Sequence, residues 1–94
     1  MEKEVEQVIW HILAKLSRMN KIGGAHTEIN NLEKGLPNHF KENKKGKKKI
    51  QEAIKEMFRR DYLLQKPSTG EIHVSLNPRK INEIREFIEK YKEN

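Results

Sequence analysis

Apolar residues recur every three or four positions in the first twenty residues, the spacing of one face of an α-helix. This stripe consists of Val5, Val8, Ile9, Ile12, Leu13, Leu16 and Met19. Acidic residues precede it, and Lys15 and Arg18 stand near its end, which matches the dipole of a helix. The pattern predicts a first helix over about residues 3–20.

A second, shorter helix is predicted over about residues 27–34. Thr27 is a residue type that caps helix N-termini, and Gly35 is the type that follows helix C-termini. The segment 36–46 has no clear periodicity. It is expected to form a turn or a short extra helix anchored by Leu36, Pro37 and Phe40.

Two further helices follow from the same spacing rule. One, over about residues 47–60, places its apolar residues on one face: Ile50, Ala53, Ile54, Met57 and Phe58. The other, over about residues 78–92, begins with Asn77 as N-cap and Pro78 at the first helical position. Its apolar stripe is Ile81, Ile84, Ile88 and Tyr91, widened by Phe87.

Between these two helices the pattern changes from helical spacing to that of a β-hairpin. Strands are predicted at about 62–66 and 71–76, joined by a turn at Pro67–Gly70. Alternation in the second strand directs His73 outward and three apolar side chains inward: Ile72, Val74 and Leu76.

Positive charge is concentrated in one stretch of the chain. Residues 41–60 contain nine basic and three acidic residues, and this difference equals the net charge of +6 of the whole chain. Six lysines fall within nine positions: Lys41, Lys44, Lys45, Lys47, Lys48 and Lys49. Such a run is either a solvated surface or a binding site for a polyanion, nucleic acid above all.

The remaining composition argues against an enzyme. The sequence contains no cysteine, its four histidines are scattered, and Gly46 is followed by two lysines rather than by the Lys-Ser/Thr of a phosphate loop. We therefore expect no catalytic residue, no metal site, no cofactor and no small-molecule substrate. With neither an apolar leader nor a membrane-spanning run, a cytoplasmic location is expected.

The segment Lys49–Leu64 resembles the recognition helix of the winged helix-turn-helix family running into its first wing strand. It is also similar to small uncharacterised winged-helix proteins of archaea. The resemblance implies an α+β fold over residues 1–94, a single winged helix-turn-helix domain of about four helices with a two-stranded hairpin wing. Two departures from the family are a long turn before the recognition helix and Asp61 where glycine is frequent. Aspartate can take the left-handed conformation of that glycine, at some cost.

The resemblance also implies a set of contacts to double-stranded DNA. They are expected from the Lys-rich segment and recognition helix (Lys44, Lys45, Lys47, Lys48, Lys49, Gln51, Lys55 and Arg59) and from the wing (Lys66, Ser68 and Thr69). Most of these groups suit phosphates, which position a protein without reading sequence. Gln51 is the best candidate for a base contact, so we expect modest sequence specificity and a transcriptional regulator or nucleoid-type protein.

Two other functions stay open, an RNA-binding or ribosome-associated winged helix and a protein-interaction module. A basic surface with few base readers also suits the backbone of A-form RNA. A homodimer is a further expectation, because Trp10 and Ala14 lie outside the core stripe of the first helix and the apolar stripe of the last helix can pack between subunits. The residues expected at its interface are Trp10, Ala14, Phe87 and Tyr91. The alternative, that the terminal helices cover one monomeric core, stays open.

Overall fold

The computed structural model describes residues 2–92. Its helices are α1 (Lys3–Arg18), α2 (Asn38–Lys41), α3 (Lys44–Arg59) and α4 (Ile81–Lys90), and its strands are β1 (Thr27–Glu28), β2 (Leu63–Ser68) and β3 (Glu71–Leu76). Two 3₁₀ helices lie at Ile29–Glu33 and Pro78–Lys80. Three residues of the predicted 1–94 domain, Met1, Glu93 and Asn94, lie outside the described residues. The observed fold is α+β, with the arrangement of a winged-helix domain.

The predicted stripe of α1 forms the centre of the core. Six of its seven residues are at most 2% exposed: Val5, Val8, Ile9, Ile12, Leu13 and Leu16. Burying each of these side chains contributes roughly 1.5–3 kcal/mol to the free energy of unfolding. The seventh, Met19, is 45% exposed, because the helix ends at Arg18 and the backbone turns at Asn20 with a φ of 55°.

The predicted helix over 27–34 is wrong in its first part. Thr27 and Glu28 form β1, which pairs with Val74 and His73 of β3, and only the residues after them turn as a 3₁₀ helix. Thr27 therefore caps no helix. Strand pairing satisfies its backbone, and its hydroxyl accepts a hydrogen bond from Asn31 at 3.1 Å.

Of the turn and the short extra helix left open within 36–46, the structure has the helix, α2, anchored by buried Phe40. Only Glu42 and Asn43 separate it from α3, so the expected long turn before the recognition helix is wrong. Helix α3 starts at Lys44, three residues before its predicted start, because the Asn43 side chain accepts a hydrogen bond from Gly46 N at 2.8 Å.

The sheet is antiparallel in the order β1-β3-β2. Strands β2 and β3 pair from Leu63 opposite Leu76 to Ser68 opposite Glu71, two residues further than the predicted first strand. The inward direction predicted for Ile72 is wrong: it is 42% exposed because the hairpin tip extends beyond the core. Val74 and Leu76 are fully buried as predicted.

The hairpin is flanked by Asp61 and Asn77, two residues whose local structure bears on the sequence analysis. Asp61, between α3 and β2, has a φ of 61°, the left-handed conformation that is frequent for glycine at this place. Asn77 caps the last helical segment by accepting a hydrogen bond from Arg79 N at 3.1 Å. The first turn is 3₁₀, and α4 ends at Lys90, two residues before the predicted end. Within residues 2–92, every helix is too short or too polar to cross a membrane.

Candidate nucleic-acid interface

Helix α3 turns a polar side away from the core. Its core side carries buried Ile50, Ala53 and Met57, and the positions opposite them are exposed. At 100° per residue, four residues of this polar side, Lys44, Lys48, Gln51 and Lys55, fall within about 60° of the helix circumference. We call this side the α3 face; it consists of Lys44, Lys48, Gln51, Lys55 and the flanking Glu52.

Ion pairing divides the predicted lysines of α3 into two groups. Lys49 is half-buried and donates to Glu2 and to Glu4 at the start of α1, the latter at 3.1 Å. These hydrogen bonds, the one to Glu2 most of all, raise the pKa of Lys49. Lys49 thus joins α3 to α1 and lies outside the α3 face.

The other predicted lysines of α3 remain exposed to solvent. None of them forms an ion pair with another residue of the described range 2–92: Lys44, Lys45, Lys47, Lys48 and Lys55. We call these five residues the unpaired lysines. Most lie in the first turns of α3, where backbone N–H groups also favour anions.

Glu56, near the end of α3, binds two arginines. Arg59 donates to both of its carboxylate oxygens, at 2.8 and 2.5 Å, and Arg60 donates at 2.6 Å. The hydrogen bonds from Arg59 and then Arg60 lower the pKa of Glu56 to about 2. Arg59, a predicted DNA contact, is exposed but already shares this carboxylate. The i+3 and i+4 spacing in the sequence is the signal that could have identified the pairing.

Glu52 remains on the α3 face without a cation. No ion pair joins it to Lys48 or Lys55 in the described range, although all three residues and Gln51 line one shallow depression. Its carboxylate gives one edge of the face a negative charge. Gln51 lies on the opposite edge of the face and, along the helix axis, between Lys48 and Lys55.

The wing presents its three predicted residues to solvent. Lys66, Ser68 and Thr69 are exposed on β2 and at the tip, which turns through Gly70 with a φ of 72°. Neither the two hydroxyls nor the Lys66 ammonium group forms a side-chain hydrogen bond or an ion pair within the described part of the chain. Their side chains are therefore accessible to a ligand beside α3.

The base of the wing holds two histidines in contact. His26 Nδ1 and His73 Nδ1 are 2.8 Å apart, and His73 Nε2 lies 3.1 Å from Glu71. Desolvation, followed by the charges of His73, Lys66 and Lys21, lowers the pKa of His26. Sequence reasoning placed His73 outward as a surface residue and missed this contact, which needs the β1–β3 pairing. Within 2–92, no group of three potential ligands could hold a metal ion.

Three of the four residues predicted for a dimer interface, Trp10, Ala14 and Tyr91, line depressions on the exposed side of α1, whereas Phe87 lies in the core. Trp10 packs within the chain, with its indole N–H donating to Ile88 O at 2.9 Å. Phe87 belongs to the core at 7% exposure, and its ring lies 4.4 Å from that of Tyr91. Ala14 lies half-buried one turn after Trp10.

No protein-family model, curated protein or solved structure matches this chain. The element order of a winged-helix domain is observed, while membership of the winged helix-turn-helix family stays a prediction. Function is therefore inferred from the geometry and charges described above.

Proposed function

We propose that this chain binds double-stranded DNA, with the α3 face in the major groove and the β2–β3 wing against the backbone. The observation that carries the proposal is the set of five unpaired lysines on α3. Other cations of the same helix, Lys49 and Arg59, are paired with carboxylates. The charge left exposed is thus directed outward, where phosphates would neutralise it.

Phosphate contacts would supply most of the affinity. Each phosphate that a lysine neutralises releases condensed counterions, so the logarithm of the binding constant falls with that of the salt concentration by about 0.9 per contact. Lys66, Ser68 and Thr69 would add backbone contacts from the wing. Such binding depends strongly on salt and weakly on sequence.

Base recognition would rest mainly on Gln51. Its amide can pair with the N6 and N7 edge of adenine in the major groove. Glu52 beside it can accept from cytosine but repels phosphates. A regulator or nucleoid-type protein of modest sequence preference fits this surface, as does the cytoplasmic location expected from the sequence.

The test is fluorescence anisotropy with a mixed-sequence duplex, titrated between about 50 and 200 mM salt. A triple variant, Lys44→Gln, Lys48→Gln and Lys55→Gln, removes three unpaired lysines. A matched control removes three exposed cations elsewhere: Lys3→Gln, Arg85→Gln and Lys92→Gln. We expect the first variant to lose at least about tenfold in affinity and to reduce the salt slope by about 2.7, and the control to do neither.

Three results would contradict the proposal. Equal losses in the two variants would mean that only net charge matters. Absence of binding at 50 mM salt would leave the lysines as a solvated surface and favour a protein partner. Tighter binding of the matched RNA duplex would favour recognition of the A-form backbone instead.

A further inference from the structure

A groove follows the exposed side of α1, away from α3 and the wing. It consists of two neighbouring depressions of about 230 Å³ each, and Trp10 and His11 line both. No residue that lines either depression belongs to α3, β2 or β3. We call the two together the α1 groove.

One end of the α1 groove is aromatic. Trp10 lines it together with Tyr91, directly after α4, and the charged Lys3 and Glu6 lie at the same end. The hydrogen bond from the Trp10 indole to Ile88 O, at 2.9 Å, ties the ring to α4. The ring of His11 meets it edge to face, with centroids 5.2 Å apart. The Trp10 ring is thus already oriented for contact with a flat ligand, and this lowers the entropic cost of binding.

The other end is cationic, with Lys15, Arg18 and Lys34 among its lining residues. Lys15 Nζ donates to Asn31 O and to Lys34 O, each at 2.7 Å, which fixes its ammonium group. Desolvation, followed by the charges of Lys34, Arg18 and Lys41, lowers the pKa of Lys15.

No carboxylate of the described range pairs with these cations. Lysines and arginines repel one another at this proximity unless an anion neutralises them. Since residues 2–92 provide no such anion, charge complementarity points to one from outside the chain.

We propose that the α1 groove binds a small planar anion, an aromatic ring system that carries a phosphate or carboxylate group. The ring would lie against Trp10 and Tyr91, and the anionic group would contact Arg18 and Lys34. A ligand that spans both depressions would occupy a volume within the range of about 300–1,000 Å³ common for small-molecule sites. This inference is independent of DNA binding, because the two surfaces share no residue.

Trp10 provides the readout, since it is the only tryptophan in the chain. The indole N–H resonance of the isotope-labelled full chain is followed by NMR during titration with adenosine monophosphate or naphthalene-2-carboxylate. Adenosine and naphthalene-2-methanol serve as the uncharged counterparts. We expect saturable shifts with the anionic probes and at least tenfold weaker binding of the neutral ones. Comparison of naphthalene-2-carboxylate with 2-naphthyl phosphate, which has the same ring, distinguishes a carboxylate from a phosphate ligand.

The double variant Arg18→Gln and Lys34→Gln tests the cationic end. Neither side chain forms a hydrogen bond or an ion pair with another residue of the range 2–92, and a thermal melt checks that the variant folds. We expect it to weaken the anionic probes at least tenfold and to leave duplex DNA binding within about twofold. Lys45→Gln with Lys47→Gln carries the same charge change on α3 and should leave the probes unaffected.

Three outcomes would overturn the proposal. Neutral probes that bind as tightly as the anions would make the groove a merely apolar surface. Equal effects of the two double variants would mean that the probes respond only to the net charge of the chain. A Trp10 resonance that shifts with protein concentration alone, together with a sedimenting dimer, would assign the groove to a second copy of the chain.

Discussion

Gly46 of α3 lies so close to Phe40 of α2 that a Cβ at position 46 would stand 2.6 Å from both the Cα and the carbonyl carbon of Phe40. Real Cβ atoms do not approach backbone atoms so closely. The same glycine donates its N–H to the Asn43 side chain that caps α3. Gly46 therefore sets how close α3 lies to α2, and with it the direction of the α3 face.

The variant Gly46→Ala should be less stable than the natural chain by about 1–3 kcal/mol, because the backbone of α2 must move away. This loss occurs although alanine is the better helix former by about 1 kcal/mol. Gly24→Ala is the matched control, since nothing lies within 4 Å of its Cβ position and its φ is not positive. Urea denaturation measures both. A Gly46→Ala variant of natural stability would contradict the close packing.

The elements predicted from sequence are those whose signal repeats along the chain. The stripe of α1 and the cap at Asn77 depend on local spacing and local hydrogen bonds, and the structure has both. Strand β1 has two residues and α2 has four, too few for a period to be visible. The first depends on pairing with β3 and the second on the close approach at Gly46.

In the candidate site, too, local features are visible in the sequence and long-range contacts are not. The lysine run is visible in the sequence, but which lysines are already neutralised is not. Lys49 finds its carboxylates 47 and 45 residues earlier in the chain, at Glu2 and Glu4. Only packing of α3 against α1 brings these groups together.

Lys49→Ala should therefore affect stability, whereas Lys48→Ala should affect DNA binding. The first removes the ion pairs with Glu2 and Glu4 and lowers the denaturation midpoint, more at low salt than at high salt because salt screens partly exposed charges. The second removes a residue of the α3 face that has no ion pair. Denaturation and anisotropy on both variants check this crossed pattern; a larger loss of DNA affinity in Lys49→Ala would contradict it.

Asp61→Gly should match or exceed the natural stability, by up to about 1 kcal/mol. The φ of 61° at this position is strained for a residue with a Cβ and free of strain for glycine. The carbonyl of residue 61, which accepts from Asn77 Nδ2 at 2.9 Å, is retained in the variant. Asp61→Ala is the comparison and should be the least stable of the three chains. Thermal melts rank them, and an alanine variant above the glycine variant would be inconsistent with the strain.

The pKa of His26, lowered below its ordinary value of 6.5, predicts a loss of stability as the pH falls. Above about pH 6.5, His26 is neutral in both the folded and the unfolded chain, so its protonation does not reduce the free energy of unfolding. As the pH falls below 6.5, the unfolded chain takes up the proton first, and this uptake favours unfolding. His26→Gln should flatten this part of the profile. NMR titration of the ring measures the pKa directly, and a value at or above 6.5 would rule the effect out.

Glu56 has the lowered pKa expected of a paired carboxylate, about 2 against an ordinary 4.5. Its ion pairs with Arg59 and Arg60 therefore stabilise the fold fully above about pH 4.5, and this contribution is lost as the pH falls towards 2. Glu56→Gln should lower the denaturation midpoint at pH 6, and the difference from the natural chain should shrink between pH 4.5 and 2.

Glu52→Gln is the control for that profile, because this carboxylate lies on the same helix without an ion pair. It should leave the midpoint at pH 6 nearly unchanged. The two variants remove the same charge, but only Glu56→Gln also releases Arg59, which is 71% exposed and adjacent to the α3 face. If α3 binds DNA, Glu56→Gln should raise duplex affinity while it lowers stability. A fall in both would mean that the Glu56 pairs hold α3 in the shape that DNA requires.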